Sequence, residues 1–254
     1  LAGGAMLKVA GWPSIFWFLT LFSALFALAV YFFLPETLPE DTPPARLGSA
    51  LGRYLGLLRE PVFMFHSLTG GVAMAGMFAY IAGSPYIFIE MYGLSVDHYA
   101  WLFGANAAGF ILFAQLNSRL LRHNTPLSLL KGTTGVYCAA TVTLLVVALL
   151  HSPNIWLFLP PLFCSVAVIS LVIPNASACA LAGHGHQAGV ASALMGTMQF
   201  AIAGLTSALV GVLHDGSSVP MALVMAGCGV VTVTMAFLAR RASARAPQPN
   251  WASR

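Results

Sequence analysis

Long apolar stretches alternate with short polar connections along most of the chain. A helix needs about 20 mostly apolar residues to cross the hydrocarbon core of a bilayer, and seven stretches reach that length. Prolines stand at or near several of their ends, where a helix would stop or start. The pattern predicts an all-α integral membrane protein whose spans run approximately over 13–34, 62–84, 98–118, 130–150, 155–181, 188–212 and 219–239.

The segments around these spans complete the predicted organisation. Residues 1–12 look like the end of a preceding transmembrane helix and an outer turn, so we expect the chain to begin partway through a longer protein. Residues 35–60 form a polar linker with several prolines, most of the acidic residues and a short amphipathic stretch near 51–58. Six spans follow within 61–239, and 240–254 form a basic tail.

The composition excludes a soluble domain. Of the 254 residues, 59% are hydrophobic and 7% are charged, whereas an average soluble domain carries about 25% charged residues to face water. The net charge of +4 could suggest nucleic-acid binding, but the basic residues stand in short stretches between apolar runs. That distribution indicates membrane topology, and we expect no nucleic-acid partner.

The positions of lysine and arginine predict the orientation of the bundle. Ten of the eleven fall on one side, and the alternate connections at 85–97, 151–154 and 213–218 contain none. Because cytoplasmic loops concentrate Lys and Arg, we place the basic side and the C-terminus in the cytoplasm. The bases next to the ends of the third and seventh spans that support this orientation are Arg119, Arg122, Arg240 and Arg241.

Amides are the strongest hydrogen-bonding side chains within the spans, and they are unevenly distributed. No Asp, Glu, Lys or Arg lies deep in any span. Burying an amide without a partner costs several kcal/mol, so the third, fifth and sixth spans should face the bundle interior or a cavity. The first, fourth and seventh spans have no amide and should face lipid. Taken alone, each amide is as readily explained by a hydrogen bond between helices. The set comprises Asn106, Gln115, Asn117, Asn175 and Gln199.

Metal and catalytic sites find little support in the sequence. His184 and His186 are spaced like a metal pair, but no third ligand is evident, so we expect no metal. Ser84 has no candidate base partner inside the membrane, and no glycine-rich phosphate loop is present. We therefore expect a protein that is not an enzyme and holds no cofactor.

Several stretches together resemble a known family. The segments GWPSIFWFL and FFLPETLPE are followed by AGSPYIFIEMYGLS, FGANAAGFILFAQLNSRLLR and PNASACALAGHGHQAGVASALMGTMQF. In this order and topology they resemble the major facilitator superfamily drug:proton antiporters, in particular the bicyclomycin-resistance (Bcr/CflA) type. The resemblance runs from residue 1 to about 240. It implies a C-terminal six-helix half preceded by the sixth helix of a twelve-helix carrier, with 35–60 as the cytoplasmic central linker.

The resemblance also implies an activity. Members of this family export drugs or other small xenobiotics across the bacterial inner membrane by alternating access, with the proton gradient as the energy source. The expected partners are a drug-like small molecule, protons, the lipid bilayer and the missing N-terminal half, where the proton-coupling acid is generally placed. Glu90, near the outer boundary, is a candidate for a gate or coupling role, or an ordinary solvated loop acid. The expected cavity residues are Phe78, Tyr80, Asn106, Phe110, Asn175 and Gln199.

Two other interpretations remain open from the sequence. Seven spans also describe a receptor-like membrane protein that transports nothing. Half of a carrier expressed by itself would be an inactive truncated fragment, because its inter-half face would be exposed.

Overall fold

A computed structural model describes residues 6, 10–35, 47–151 and 154–245, and throughout these ranges the regular secondary structure is helical. Seven of the helices are long and apolar enough to cross a membrane, which confirms the predicted all-α membrane bundle. Most of the predicted preceding helix (1–12), part of the linker (36–46) and the end of the tail (246–254) lie outside the described residues. The helices are α1 Pro13–Phe33, α2 Leu47–Leu58, α3 Pro61–Pro85, α4 Val96–Leu120, α5 Pro126–Leu149, α6 Ile155–Leu181, α7 Ala188–Val212 and α8 Val219–Arg245, and a π-helical turn Tyr86–Met91 extends α3.

Local capping sets where several helices begin. The side chains of Ser95, Thr125 and Asn154 each accept a hydrogen bond from a backbone N–H in the first turn of the helix that follows. Proline occupies the first turn of α3 and α5, where its missing N–H costs nothing. Because these caps precede the apolar runs, α4 and α5 begin two and four residues before the spans predicted from hydropathy.

Helix α3 lies at the centre of the bundle. It packs against α6, α7 and α8, and α5 packs against α6 and α8. Two glycines leave room for side chains of α5: a Cβ on Gly76 of α3 would collide with the Tyr137 hydroxyl, and one on Gly229 of α8 would collide with the Thr141 hydroxyl. The tightest contacts therefore join α3, α5 and α8.

The helices differ in how much of their surface this bundle covers. The most apolar window is 50% buried in α3 and 56% buried in α6, but 11% buried in α4 and 22% buried in α7. Helix α1 has no buried residue. Helix α8 was expected to face lipid, yet half of its apolar window is buried, including Met221 and Met225. Of the three helices that were expected to face lipid, α1 is open on all sides, whereas α5 and α8 each pack one face into the bundle. Among the other six spans, α4 and α7 are the least buried.

The short helix α2 packs against the basic end of the bundle, where α4 and α8 end. Leu57 is 1% exposed and packs in a cluster with Phe63, Ala180 and Ala191. This contact ties the last turn of the linker to α3, α6 and α7.

Candidate functional site

An open groove between α3 and α4 brings three of the expected cavity residues together. Tyr80, Asn106 and Phe110 line it, and its volume is about 330 Å³. Val166 of α6 closes the back. The other residues of the wall are apolar, and none of the lining residues carries a formal charge. They are Met77, Ile81, Phe103, Ala107 and Ile111.

Aromatic rings form one wall of the groove and continue away from it. The Tyr80 and Phe103 rings are stacked, with centroids 5.8 Å apart and planes within 14°. Phe103 meets Tyr99 at 6.0 Å, Tyr99 meets Phe88 at 6.3 Å, and Phe88 meets Tyr92 at 6.3 Å. Ring pairs at these separations attract one another beyond their buried area. The wall is therefore a continuous aromatic ribbon from the groove to the end of the bundle that lacks Lys and Arg.

Two polar groups form the floor of the groove. The Asn106 Nδ2 donates to the Leu102 carbonyl at 3.1 Å, which leaves Oδ1 as the free end of the amide. That Oδ1 and the Tyr80 hydroxyl are both buried, and the Tyr80 and Asn106 side chains lie within hydrogen-bonding range of each other. The floor is thus one polar pair in an otherwise apolar site.

Asn175 lies outside the groove and bonds to a neighbouring helix. It is 1% exposed, and its Nδ2 donates to Asn117 Oδ1 at 2.7 Å and to the Leu171 carbonyl at 2.7 Å. The two amides therefore link α6 to α4 across the bundle. Between the two explanations that the sequence left open, this geometry favours helix–helix bonding for Asn175.

Gln199 and Phe78 lie at the contact of α3 with α7, outside the groove. Gln199 is 8% exposed and packs over Gly70 and Gly71. The Phe78 ring meets the Phe200 ring edge-on, with centroids 6.1 Å apart and planes at 85°. Phe200 is itself 61% exposed, so this pair lies at the open face of α7.

Glu90 and the orientation arginines are at opposite ends of the bundle. Glu90 is an exposed residue of the π-helical turn after α3. Arg119, Arg122, Arg240 and Arg241 are exposed at the basic end. Glu90, the candidate for a gate or coupling role or an ordinary loop acid, is thus not among the residues that line the groove.

The base-free end has an ordered acidic turn between α7 and α8. The Ser217 hydroxyl and backbone N–H both donate to Asp215 Oδ1, at 2.7 and 2.9 Å. These hydrogen bonds, that of the hydroxyl first, lower the pKa of the Asp215 carboxyl. The turn remains charged at neutral pH and is outside the groove.

His184 pairs with a carboxylate. Its Nε2 lies 2.8 Å from Glu60 Oε2, although the two residues are 124 positions apart. No group of three potential metal ligands occurs among the described residues, which do not include the side chain of His186.

Phe103 is the main groove residue that the sequence interpretation missed. It lies three residues before Asn106 and seven before Phe110, so the three share one face of α4. Its helical phase relative to Asn106 is the signal in the sequence that identifies it.

Comparison with known proteins agrees with this architecture. The family model described as Major Facilitator Superfamily matches residues 1–208. An uncharacterised MFS-type transporter, YdgK of Bacillus subtilis (strain 168), is 32% identical over 89% of the chain, which spans 56% of that relative. A bicyclomycin resistance protein homolog of Haemophilus influenzae is 27% identical over 92% of the chain, which spans 58% of that relative. The multidrug resistance protein MdtL of Salmonella typhi is 24% identical over 89% of the chain, which spans 56% of that relative.

These matches confirm the resemblance drawn from the sequence motifs. The relatives are named as transporters or resistance proteins, and the chain covers slightly more than half the length of each. The matched residues include α1 to most of α7, and thus both walls of the groove between α3 and α4. The chain is a multi-pass membrane protein that belongs to the Major Facilitator Superfamily.

Proposed function

We propose that the chain is the C-terminal half of a carrier that exports drugs or other small, mainly apolar compounds from the cell. The observation that carries this proposal is the groove in which Tyr80, Asn106 and Phe110 meet without a formal charge. Aromatic and apolar walls with a few polar groups are typical of ligand sites. The resistance proteins among the relatives support export as the direction of transport.

The groove has the form of half a binding site. Its volume of about 330 Å³ is near the lower end for drug-sized ligands, and it is open on one side. The neighbouring face of α4 exposes Ile111 and Leu112, at 60 and 66%. Helix α7 exposes Phe200 and Leu205, at 61 and 72%. From these exposed apolar faces we infer a second six-helix half, which closes the site and rocks against this half in alternating access.

Proton coupling is the energy source that we propose. No carboxylate lies deep in the spans of this chain, so the coupling acid belongs to the other half. Glu90, exposed in the π-helical turn, is a candidate for opening and closing the site rather than for carrying protons to the groove. The basic end is cytoplasmic by the concentration of Lys and Arg, and the membrane is the bacterial inner membrane.

Export of the neutral dye Nile red from cells that express the full-length carrier tests the groove. Asn106→Ala and Phe110→Ala should each slow export several-fold, because they remove the polar floor and an aromatic wall. Gln115→Ala is the matched control, since it removes an exposed amide of the same helix. Unchanged export in both groove variants, with normal membrane levels, would show that the site lies elsewhere.

Residues 1–254 expressed alone should insert into the membrane without exporting Nile red. Co-expression with the missing half should restore export. Export by 1–254 alone would contradict the half-carrier proposal, and failure of every two-half combination would favour a membrane protein that does not transport.

A further inference from the structure

A cavity separate from the groove lies at the end of the bundle that lacks Lys and Arg, between α7 and the start of α8. Helix α3 packs closely against both of these helices, whereas they make little contact with each other, and the cavity occupies the gap. Its volume is about 370 Å³, which is within the range of small-molecule sites. We refer to it as the α7–α8 cavity. It shares no lining residue with the groove, so the two can be tested independently.

The back of the α7–α8 cavity is apolar. Ile87, Val210 and Met221 line it, and they are 1, 7 and 1% exposed. An inorganic cation needs several oxygen ligands, which these side chains do not supply. The back wall therefore suits the apolar body of an organic ligand.

Two aromatic side chains form another wall. The rings of Tyr86, in the π-helical turn, and His214, after α7, have centroids 4.2 Å apart and planes at 85°. The turn between α7 and α8 passes close to this pair, since a Cβ on Gly216 would lie 3.6 Å from the Tyr86 hydroxyl. Aromatic faces attract organic cations, and the attraction is greater where water is excluded.

A carboxylate stands beside the cavity. The Oδ1 of Asp215 accepts hydrogen bonds from the hydroxyl and the backbone N–H of Ser217, which lines the cavity. These hydrogen bonds stabilise the ionised carboxylate. The connections at this end of the bundle, 85–97, 151–154 and 213–218, contain no Lys or Arg. The charge next to the cavity is therefore negative, which favours a cation and disfavours an anion.

We propose that the α7–α8 cavity binds a hydrophobic organic cation, with its charge near Asp215 and Tyr86 and its apolar body against Val210 and Met221. A neutral compound of the same shape gains the apolar contacts but no attraction to the carboxylate. The groove between α3 and α4 lacks any formal charge, so this cavity is a second site with a different ligand preference. The proposal concerns binding and does not depend on export through the groove.

Binding of ethidium to the purified full chain in mild detergent, followed by fluorescence anisotropy, tests the charge contact. Asp215→Asn keeps an acceptor for Ser217 and removes the charge. We expect the Kd for ethidium to rise about threefold, the factor expected from the loss of one exposed charge contact. Asp97→Asn removes an exposed acid from the same end but outside the cavity, so the Kd should not change.

A matched pair of glycines tests the cavity itself. Gly211 lines it, and nothing lies within 4 Å of a Cβ built there. Gly211→Leu therefore fills open space, and we expect the Kd for ethidium to rise at least about tenfold from the lost apolar contacts. Gly204→Leu adds the same side chain two turns earlier in α7, also in open space but outside the cavity, and should leave the Kd unchanged. Circular dichroism checks that both variants fold.

Nile red, a neutral dye, separates this site from the groove. Phe110→Ala should weaken Nile red and spare ethidium, whereas Gly211→Leu should do the opposite. Loss of ethidium in Phe110→Ala with full retention in Gly211→Leu would place the cation in the groove; it would overturn this proposal and leave the proposed function standing. Equal effects of Asp215→Asn and Asp97→Asn would reduce the charge contact to diffuse attraction and would overturn it as well.

Discussion

The contact between Tyr137 of α5 and Gly76 of α3 allows a quantitative prediction. A methyl group there would overlap the hydroxyl oxygen of Tyr137 and would lie 3.3 Å from Cys228 Cβ. Tyr137 is 0% exposed, so its ring cannot swing outward from the bundle. Overpacking of this kind costs about 1–3 kcal/mol. Gly76→Ala should therefore destabilise the bundle by that amount.

Tyr137→Phe should reverse most of this loss. The hydroxyl is buried with no hydrogen-bond partner among the described residues, so its removal alone should be neutral or slightly stabilising. In the double variant the added methyl meets the ring carbon at 3.3 Å, a tight contact that a small shift of the ring relieves. We expect a coupling energy of about 1–2 kcal/mol between the two substitutions.

Unfolding in mixed detergent micelles, followed by circular dichroism, measures these free energies. Gly204→Ala is the control, because nothing lies within 4 Å of the added methyl and alanine favours helix. It should leave stability unchanged or raise it. If Gly76→Ala is as stable as Gly204→Ala, or if Tyr137→Phe fails to restore stability, the assigned contact between Tyr137 and Gly76 is wrong.

Two other predictions use the same unfolding measurement. Asn175→Leu should lower the free energy of unfolding by about 1 kcal/mol, because it leaves Asn117 Oδ1 without its donor. Adding Asn117→Leu should lower it little further. If the effects of the two single substitutions simply add, the bond between α4 and α6 is refuted. Gly109→Ala should cost less than Gly76→Ala, at most about 1 kcal/mol, because the methyl would overlap the Phe163 ring but that ring is 39% exposed and can turn aside; a loss as large as that at Gly76 would contradict this difference.

The helical bundle could be predicted from local pattern because the bilayer imposes a single rule on every span. Each backbone polar group must be satisfied within its own helix, and each helix must be apolar over about 20 residues. Hydropathy therefore located seven spans without knowledge of their neighbours. Their ends were less accurate, since polar caps such as Ser95 and Thr125 extend helices beyond the apolar run.

The amides show what the local sequence pattern does not predict. Helical phase predicts that Asn106 and Asn117 share a face of α4, but it does not say which helix lies opposite each of them. In the folded chain Asn117 meets Asn175 of α6, whereas Asn106 lies beside Tyr80 in a groove. These two asparagines lie three turns apart on one face of the helix, and the different residues around them give them different surroundings.

The sequence by itself determined the membrane class, the number of spans and the end at which the bases gather, because each depends on residues close together in the chain. Tertiary structure alone decided which side chains line the groove, that Glu60 pairs with His184 across 124 positions, and that His214 lines a cavity with α3. These depend on helix rotation and crossing. Helix rotation and crossing are set by small residues and by steric fit between distant segments, and hydropathy encodes neither.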